Sequence, residues 1–265
     1  MTQTTTSPVA AAVADARTSR RGALVGYLPI GFPDLATSID AAVALVEAGV
    51  DVLELGLPYS DPVMDGTVIQ AATQQALANG FRIKHVFEAV RQIRAQVDAP
   101  ALVMTYWNPV VQFGLDRFAD QLAEAGDAGL ITPDITPDSA ADWIATSERT
   151  GLDRVFLAAP TSTDERLRLA TETSRGFVYA VSTMGVTSAR ASVDDAARVL
   201  VGRLRNAGAD SVCVGIGIST GEQVGEVLSY ADGAIVGSML VKSLADGGVA
   251  GVRAAAASLA AGTQR

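Results

Sequence analysis

Short apolar runs alternate with longer amphipathic runs along almost the whole chain after residue 22. A short apolar run between turn residues is typical of a buried strand, and apolar residues spaced three or four apart are typical of a helix with one buried face. The short runs predict strands at residues 24–28, 52–56, 102–106, 129–132, 154–158, 177–182, 211–215 and 233–236. The longer runs predict helices at residues 35–48, 67–78, 83–97, 115–125, 139–150, 164–173, 193–207, 221–229 and 239–261. This alternation indicates an α/β fold with a parallel sheet.

The number of repeated units favours one closed barrel. Eight strand–helix units within about 250 residues match the size and rhythm of a (β/α)8 TIM barrel. The alternative, a doubly wound sheet, usually carries a Gly-x-Gly-x-x-Gly turn after its first strand, whereas this chain has Pro-Ile-Gly-Phe-Pro at residues 29–33. We therefore predict a single barrel domain at residues 23–265, preceded by a flexible or partly helical N-terminal extension at residues 1–22.

The amino-acid composition limits which partners this chain can bind and which residues can transfer protons. The formal net charge is -9 and no dense run of Lys and Arg occurs, which argues against a nucleic-acid partner. No apolar stretch approaches the roughly 18 uncharged residues of a membrane helix, so we expect no membrane span. The chain has one cysteine, Cys213, which fits a reducing cytoplasm, and one histidine, His85. Neither has metal-ligand spacing around it, so we interpret them as a buried thiol and a solvated side chain and expect carboxylates and tyrosines to perform any proton chemistry.

Three carboxylates cluster around the end of the second predicted strand. Glu54 lies at the C-terminal end of that strand, and Asp61 and Asp65 follow in the next loop. Active sites of TIM barrels lie at this end of the strands. Asp61 precedes Pro62, an arrangement that favours a structural turn. Asp65 precedes Gly66, and the pattern alone leaves open whether it forms a turn or faces a substrate together with Glu54.

Two glycine-containing junctions follow the last two strands. They read Val-Gly-Ile-Gly-Ile-Ser at residues 214–219 and Ile-Val-Gly-Ser-Met at residues 235–239, and each leads into a predicted helix. Free N–H groups and the positive end of a helix bind anions, and phosphate sites recur after strands seven and eight of this fold. We therefore predict that Gly217, Gly237 and Ser238 bind a phosphate.

A small polar segment follows the sixth strand. Residues 179–188 read Tyr-Ala-Val-Ser-Thr-Met-Gly-Val-Thr-Ser. The composition predicts either a lid that closes over the barrel mouth, at residues 183–192, or an ordinary solvated connection. Tyr179 is interpreted either as a site residue or as a core aromatic whose hydroxyl has a partner.

The thirteen residues Glu-Leu-Gly-Leu-Pro-Tyr-Ser-Asp-Pro-Val-Met-Asp-Gly at 54–66 resemble the signature of the tryptophan synthase alpha chain family. This motif is long and specific, and the resemblance covers nearly the whole chain after the N-terminal extension. It includes residues 27–33, 104–109, 133–134, 182–187, 215–219 and 237–238.

The resemblance implies a barrel that cleaves indole-3-glycerol phosphate to indole and D-glyceraldehyde 3-phosphate in a retro-aldol reaction. It also implies a tryptophan synthase beta chain as partner, in an alpha2-beta2 tetramer, that receives the indole through a tunnel. Pyridoxal phosphate is expected in the beta chain, and no cofactor or metal in this one. The alternatives are a stand-alone lyase that releases free indole, a phosphate-sugar isomerase and a non-catalytic scaffold.

By position in these motifs, the resemblance assigns site residues. Glu54 and Asp65 match the family's catalytic pair, and Tyr179 matches a tyrosine beside the glutamate. The substrate and phosphate residues are Tyr27, Thr187, Ser188, Gly217, Gly237 and Ser238. Burial at the barrel mouth is expected to raise the pKa of Glu54.

Two positions depart from the family pattern. The lid commonly ends on Gly, whereas this chain has Ser188, and Tyr59 replaces a frequent Phe. A serine still offers its N–H, but a positive φ would be strained there, so lid closure or phosphate affinity is expected to differ. Thr187 would meet Asp65 when the lid closes, by the same resemblance.

Overall fold

Eight parallel strands close into a barrel within residues 7–181, 190–215 and 217–264, the part of the chain that this computed structural model describes. The strands are β1 (Ala23–Pro29), β2 (Val52–Gly56), β3 (Ala101–Met104), β4 (Gly129–Thr132), β5 (Asp153–Ala158), β6 (Val178–Val181), β7 (Val212–Gly215) and β8 (Gly233–Val236). They neighbour one another in chain order, and β8 pairs with β1 to complete the ring. The predicted TIM barrel is confirmed, and no described strand end lies more than two residues from its predicted position.

The helices surround the barrel and occupy the positions between strands. They are α1 (Pro8–Thr18), α2 (Leu35–Glu47), α3 (Thr67–Ala78), α4 (Lys84–Arg94), α5 (Trp107–Phe113), α6 (Leu115–Ala125), α7 (Ala141–Thr150), α8 (Asp164–Thr173), α9 (Arg190–Asn206), α10 (Gly221–Leu228) and α11 (Ser238–Ala260). In this described part of the chain, no helix combines the length and the apolar character that crossing a membrane requires.

Helix α5 was not predicted from the sequence, and residues 105–106 were wrongly assigned to the third strand. The helix has only seven residues, and only two residues separate it from β3, so no amphipathic period is visible in the sequence. Its first N–H, on Trp107, donates to the carboxylate of Asp134 at 2.9 Å. A long-range contact with the loop after β4 therefore stabilises the start of this helix.

Hydrophobic residues on the two faces of the strands form two separate cores. One face fills the barrel interior with residues such as Val25, Val52 and Phe177. The other face packs under the surrounding helices, with Leu24 and Leu53 among its members. Because both faces of every strand are buried, the strands appear in the sequence as continuous apolar runs.

Helix α1 closes the end of the barrel opposite the active-site face. Its residues Val9 and Val13 are buried in the interior core. The Ser7 hydroxyl donates to the Asp153 carboxylate at 2.7 Å, where β5 begins. Arg17 pairs at 3.1 Å with Asp232, which directly precedes β8. Both contacts lie at N-terminal strand ends, so the opposite end is the mouth. The division into residues 1–22 and 23–265 stays a prediction.

Candidate active site

Tyr27, Glu54 and Tyr179 each lie two positions before the last residue of their strand. Tyr27 on β1 is directly paired with Glu54 on β2. Burial raises the pKa of Tyr179, and the nearby charge of Glu54 and the phenol of Tyr27 raise it further. The structure therefore brings these three predicted site residues to one place at the barrel mouth.

Two glycines make room for the tyrosine hydroxyls. A Cβ atom on Gly56 would lie 2.3 Å from the Tyr27 hydroxyl oxygen, and one on Gly215 would lie 2.6 Å from that of Tyr179. Real side chains do not approach so closely, so any residue with a Cβ would displace the phenols. The small residues at the ends of β2 and β7 thus allow the tyrosines to lie across the neighbouring strands.

Glu54 is a buried carboxyl group without a protein hydrogen-bond donor on one oxygen. Its side chain is 1% exposed, and among the described residues Oε2 has no hydrogen-bond partner. Burial raises the pKa of Glu54 to about 8, with a further increase from the negative charge of Asp65. The expected rise is confirmed, and at neutral pH this group carries a proton that it can donate.

Asp65 returns to the mouth on the loop between β2 and α3. Its Oδ1 accepts a hydrogen bond from the Tyr106 hydroxyl at 3.0 Å, and its main-chain oxygen accepts one from the Gln70 amide at 2.8 Å. Burial raises the pKa of Asp65, and the hydrogen bond from Tyr106 opposes that rise. Tyr27, Asp65 and Tyr106 line one small cavity.

Sequence reasoning did not single out Tyr106. It lies inside the shared motif at residues 104–109, two residues past the mouth end of β3, and this placement was the available signal. The exposed Asp61 instead accepts a hydrogen bond from the neighbouring Ser60, which fits a turn residue.

The predicted phosphate ligands lie at the ends of β7 and β8. Gly217 is exposed, and Gly237 immediately precedes α11, whose first residue is the exposed Ser238. Among the residues that the structure describes, no side chain caps this helix, and its first turn has no acidic residue, so its leading N–H groups are available to an anion. Gly237 also borders the Tyr27 ring, since a Cβ atom there would lie 3.5 Å from Cδ1. The start of α11 is therefore next to Tyr27, the strand neighbour of Glu54.

Thr187, Ser188 and most of the predicted lid at residues 183–192 lie outside the described residues. Their proposed contacts with Asp65 and with phosphate stay predictions.

Known proteins resemble this chain over nearly its whole length. A family model described as tryptophan synthase alpha chain matches residues 13–263. The tryptophan synthase alpha chain of Leifsonia xyli subsp. xyli is 69% identical over 98% of this chain and 99% of its own length. That of Mycobacterium avium is 54% identical over 94% of this chain and 92% of its own. A structure of Mycobacterium tuberculosis tryptophan synthase in space group F222 superposes with a TM-score of 0.93 at 49% identity, covering 98% of this chain and 99% of that chain.

The burial of Glu54 predicts a pH-dependent cost in stability. The folded state binds the Glu54 proton more tightly than the unfolded state, with a pKa of about 8 against an ordinary 4.5. Stability from this group is therefore present below pH 4.5 and is lost as the pH rises through 8. The Glu54→Gln side chain cannot ionise. The free energy of unfolding of this variant, relative to that of the wild type, should therefore increase by a few kcal/mol when the pH is raised from 5 to 8.5. Urea denaturation at both pH values measures the change.

Glu124→Gln is the matched control because Glu124 is exposed on α6. Its difference from the wild type should not change with pH. The same pH dependence in both variants would mean that Glu54 is not buried in solution.

Proposed function

This chain belongs to the tryptophan synthase alpha chain family, and we propose that Glu54 and Asp65 carry the family's reaction in it. The reaction is the retro-aldol cleavage of indole-3-glycerol phosphate to indole and D-glyceraldehyde 3-phosphate, so the enzyme is a lyase of tryptophan biosynthesis. The residue assignment rests on the pair of carboxyl groups at the mouth. Glu54 is fully buried, whereas Asp65 is partly buried and accepts a hydrogen bond from Tyr106.

Cleavage requires two proton movements. Carbon C3 of the indole must gain a proton, which converts the ring to an indolenine with positive charge at N1–H. The hydroxyl on the departing carbon must lose its proton as the aldehyde forms. The electrons of the broken carbon–carbon bond then return to the ring and restore its aromaticity, and N1 keeps its proton.

Glu54 is proposed to move the protons at C3 and at the hydroxyl. A carboxyl group with a pKa of about 8 carries a proton at neutral pH and loses it at small cost, so it can first donate to C3 and then accept from the hydroxyl. Tyr27 and Tyr179 flank it and are proposed to shape the space for the substrate beside Glu54.

Asp65 is proposed to accept a hydrogen bond from N1–H and to stabilise the positive charge that develops on the indolenine. A fixed negative charge in a partly desolvated site stabilises such a charge more than water does. The neighbouring charge of Asp65 also raises the pKa of Glu54, which supports its donor role.

Gly217, Gly237 and Ser238 are proposed to hold the substrate phosphate, together with the backbone near Ser188. The uncapped start of α11 supports this assignment, because its N–H groups and helix dipole favour a dianion. Binding the remote phosphate orients the bond that breaks. We propose that these residues suffice and that this chain uses no cofactor of its own.

Members of this family work with a beta chain, and we propose an alpha2-beta2 assembly in which pyridoxal phosphate belongs to the beta chain. Valine side chains on the loop after β2 and on α5 support a docking face at the mouth: Val63 is 75% exposed and Val111 is 52% exposed. Asn108 of α5 donates to the hydroxyl of Tyr59 at 3.2 Å, which joins the two segments. Indole released at this face would pass directly to a partner seated on it.

The stand-alone lyase has no support, since the relatives compared above are alpha chains or structures of tryptophan synthase. We also propose a cytoplasmic location, which the unpaired, buried Cys213 supports.

The proposed function is tested by indole release from indole-3-glycerol phosphate. We expect Glu54→Gln to lower kcat by about 10²–10⁴-fold, because the proton donor is lost. Asp65→Asn should lower kcat by roughly 10²–10³-fold, because the amide lacks the charge that faces the indolenine. The exposed Glu124→Gln and Asp98→Asn are matched controls with unchanged turnover. Near-normal cleavage by either site variant removes that residue from the mechanism.

The phosphate assignment predicts an effect on KM. Ser238→Asp places a carboxylate at the start of α11, where it favours the helix but repels a phosphate. KM for indole-3-glycerol phosphate should rise at least about tenfold with little change in kcat. Ser139→Asp adds the same charge to an exposed residue after β4 and should leave KM unchanged. A fall in kcat alone for Ser238→Asp contradicts the assignment.

The docking face predicts a variant that loses only its response to the partner. Val111→Asp should retain its basal turnover but lose most of the rate increase on addition of a related beta chain, because a charge would be buried at the interface. Val199→Asp, at a valine that is 63% exposed on α9, should keep the increase. Equal activation of both variants places the interface elsewhere.

A further inference from the structure

The hydroxyl group of Tyr106 lies between two neighbouring residues of the loop after β2. The Met64 N–H donates to the Tyr106 oxygen at 2.9 Å, and the Tyr106 hydroxyl donates to Asp65 Oδ1 at 3.0 Å. An amide N–H can only donate, so the phenol oxygen accepts there and its own hydrogen is directed to the carboxylate. The Tyr106 ring is buried and packs against Tyr59, with ring centroids 5.3 Å apart. The direction of both hydrogen bonds is therefore determined by the fold.

This arrangement favours the ionised form of Asp65. A hydrogen bond to a carboxylate is stronger than one to a neutral carboxyl group, so the Tyr106 hydroxyl opposes the effect of burial on the pKa of Asp65. Within the described part of the chain, the second oxygen of Asp65 accepts no hydrogen bond and is free to face a ligand.

The two carboxyl groups differ in this hydrogen bond and in the extent of their burial. Glu54 is fully buried and its Oε2 has no donor in the described structure, whereas Asp65 is partly buried and has the Tyr106 hydroxyl. Both are otherwise desolvated, and the titratable groups that face Asp65 are Glu54 on β2, Tyr27 on β1 and Tyr106 after β3. Without that donor, burial would raise the pKa of Asp65 further, and the ionised carboxylate would be less favoured.

We propose that Tyr106 is a positioning residue that divides the roles of the two carboxyl groups, keeping Asp65 ionised and oriented towards the substrate while Glu54 remains protonated. The inference rests on the proposed function, because it assumes that the reaction requires one acid and one charged acceptor. It adds a third residue that acts through Asp65 and does not itself move a substrate proton.

The test is the pH dependence of kcat/KM for indole-3-glycerol phosphate in the full chain. Tyr106→Phe keeps the ring and removes the hydroxyl. Activity requires ionised Asp65, so the acidic limb of the profile should shift to higher pH by about one unit. The loss of activity should consequently be large at low pH and should diminish as the pH rises.

Gln70→Leu is the control for a merely structural effect. It removes the other side-chain contact with Asp65, the 2.8 Å hydrogen bond to the main-chain oxygen, without touching the carboxylate. Its activity should fall by a similar factor at every pH. A Tyr106→Phe profile that is lowered uniformly, or is unchanged, overturns the inference and reduces Tyr106 to a packing residue. Tyr59→Phe removes the hydroxyl of the adjacent ring and should leave the acidic limb in place.

A second measurement is independent of turnover. The carboxyl ¹³C resonance of Asp65, identified by its absence in Asp65→Asn, should titrate at higher pH in Tyr106→Phe than in the wild type.

If Tyr106→Phe does not fold, 3-fluorotyrosine at position 106 provides a change in the opposite direction. Its more acidic hydroxyl should move the titration of Asp65 to lower pH. An unchanged titration overturns the inference. A wild-type protein that releases no indole contradicts the proposed function, whereas an active wild type with an unshifted Asp65 contradicts only the role of Tyr106.

Discussion

The burial of the Glu54 carboxyl group is the constraint on which the site depends. Taking a carboxylate out of water without a hydrogen-bond donor is unfavourable, so the group keeps its proton instead of its charge. Only an enclosed site maintains this state, since water at Oε2 would restore the ordinary acidity. Closure of the ring between β8 and β1, next to β2, excludes water from one side, and the packed Tyr27 excludes it from another. The fold therefore keeps a common acidic residue protonated at neutral pH.

Asp65 illustrates how a second carboxyl group in the same site can have a different role. It comes from a loop instead of a strand, is only partly buried, and is held by side chains from two other segments. Pairs of like groups in different environments are a recurring way to obtain an acid and a charged acceptor at one pH. Here the difference depends on how deeply each group is buried and on the hydrogen-bond donor that only Asp65 has.

The two ends of the barrel differ: one is covered by a helix, and the other contains the polar groups of the candidate site. At the closed end, α1 covers the interior core, and its two ends are held by Asp153 and Asp232. At the mouth, Oε2 of Glu54 has no hydrogen-bond partner and the start of α11 has no side-chain cap, as far as the described residues show. The start of α11 and the carboxylate pair meet at Tyr27, whose ring borders Gly237 and whose strand neighbour is Glu54.

The amino-acid sequence by itself determined the barrel, the positions of its strands, and Glu54 and Asp65 as candidate acids. Those features are local: a strand buried on both faces appears as an apolar run, and an acidic residue at its end breaks that run. Tertiary structure alone decided the partner of Asp65, since Tyr106 lies 41 residues away along the chain. It also decided where α5 begins, because the first N–H of that helix donates to Asp134 in the loop after β4. It decided the burial of α1 as well, whose capping residue Ser7 contacts a residue 146 positions later. These contacts leave no periodic trace in the sequence, because a hydrogen bond depends on where closure of the barrel brings two distant side chains and not on the residues beside each of them.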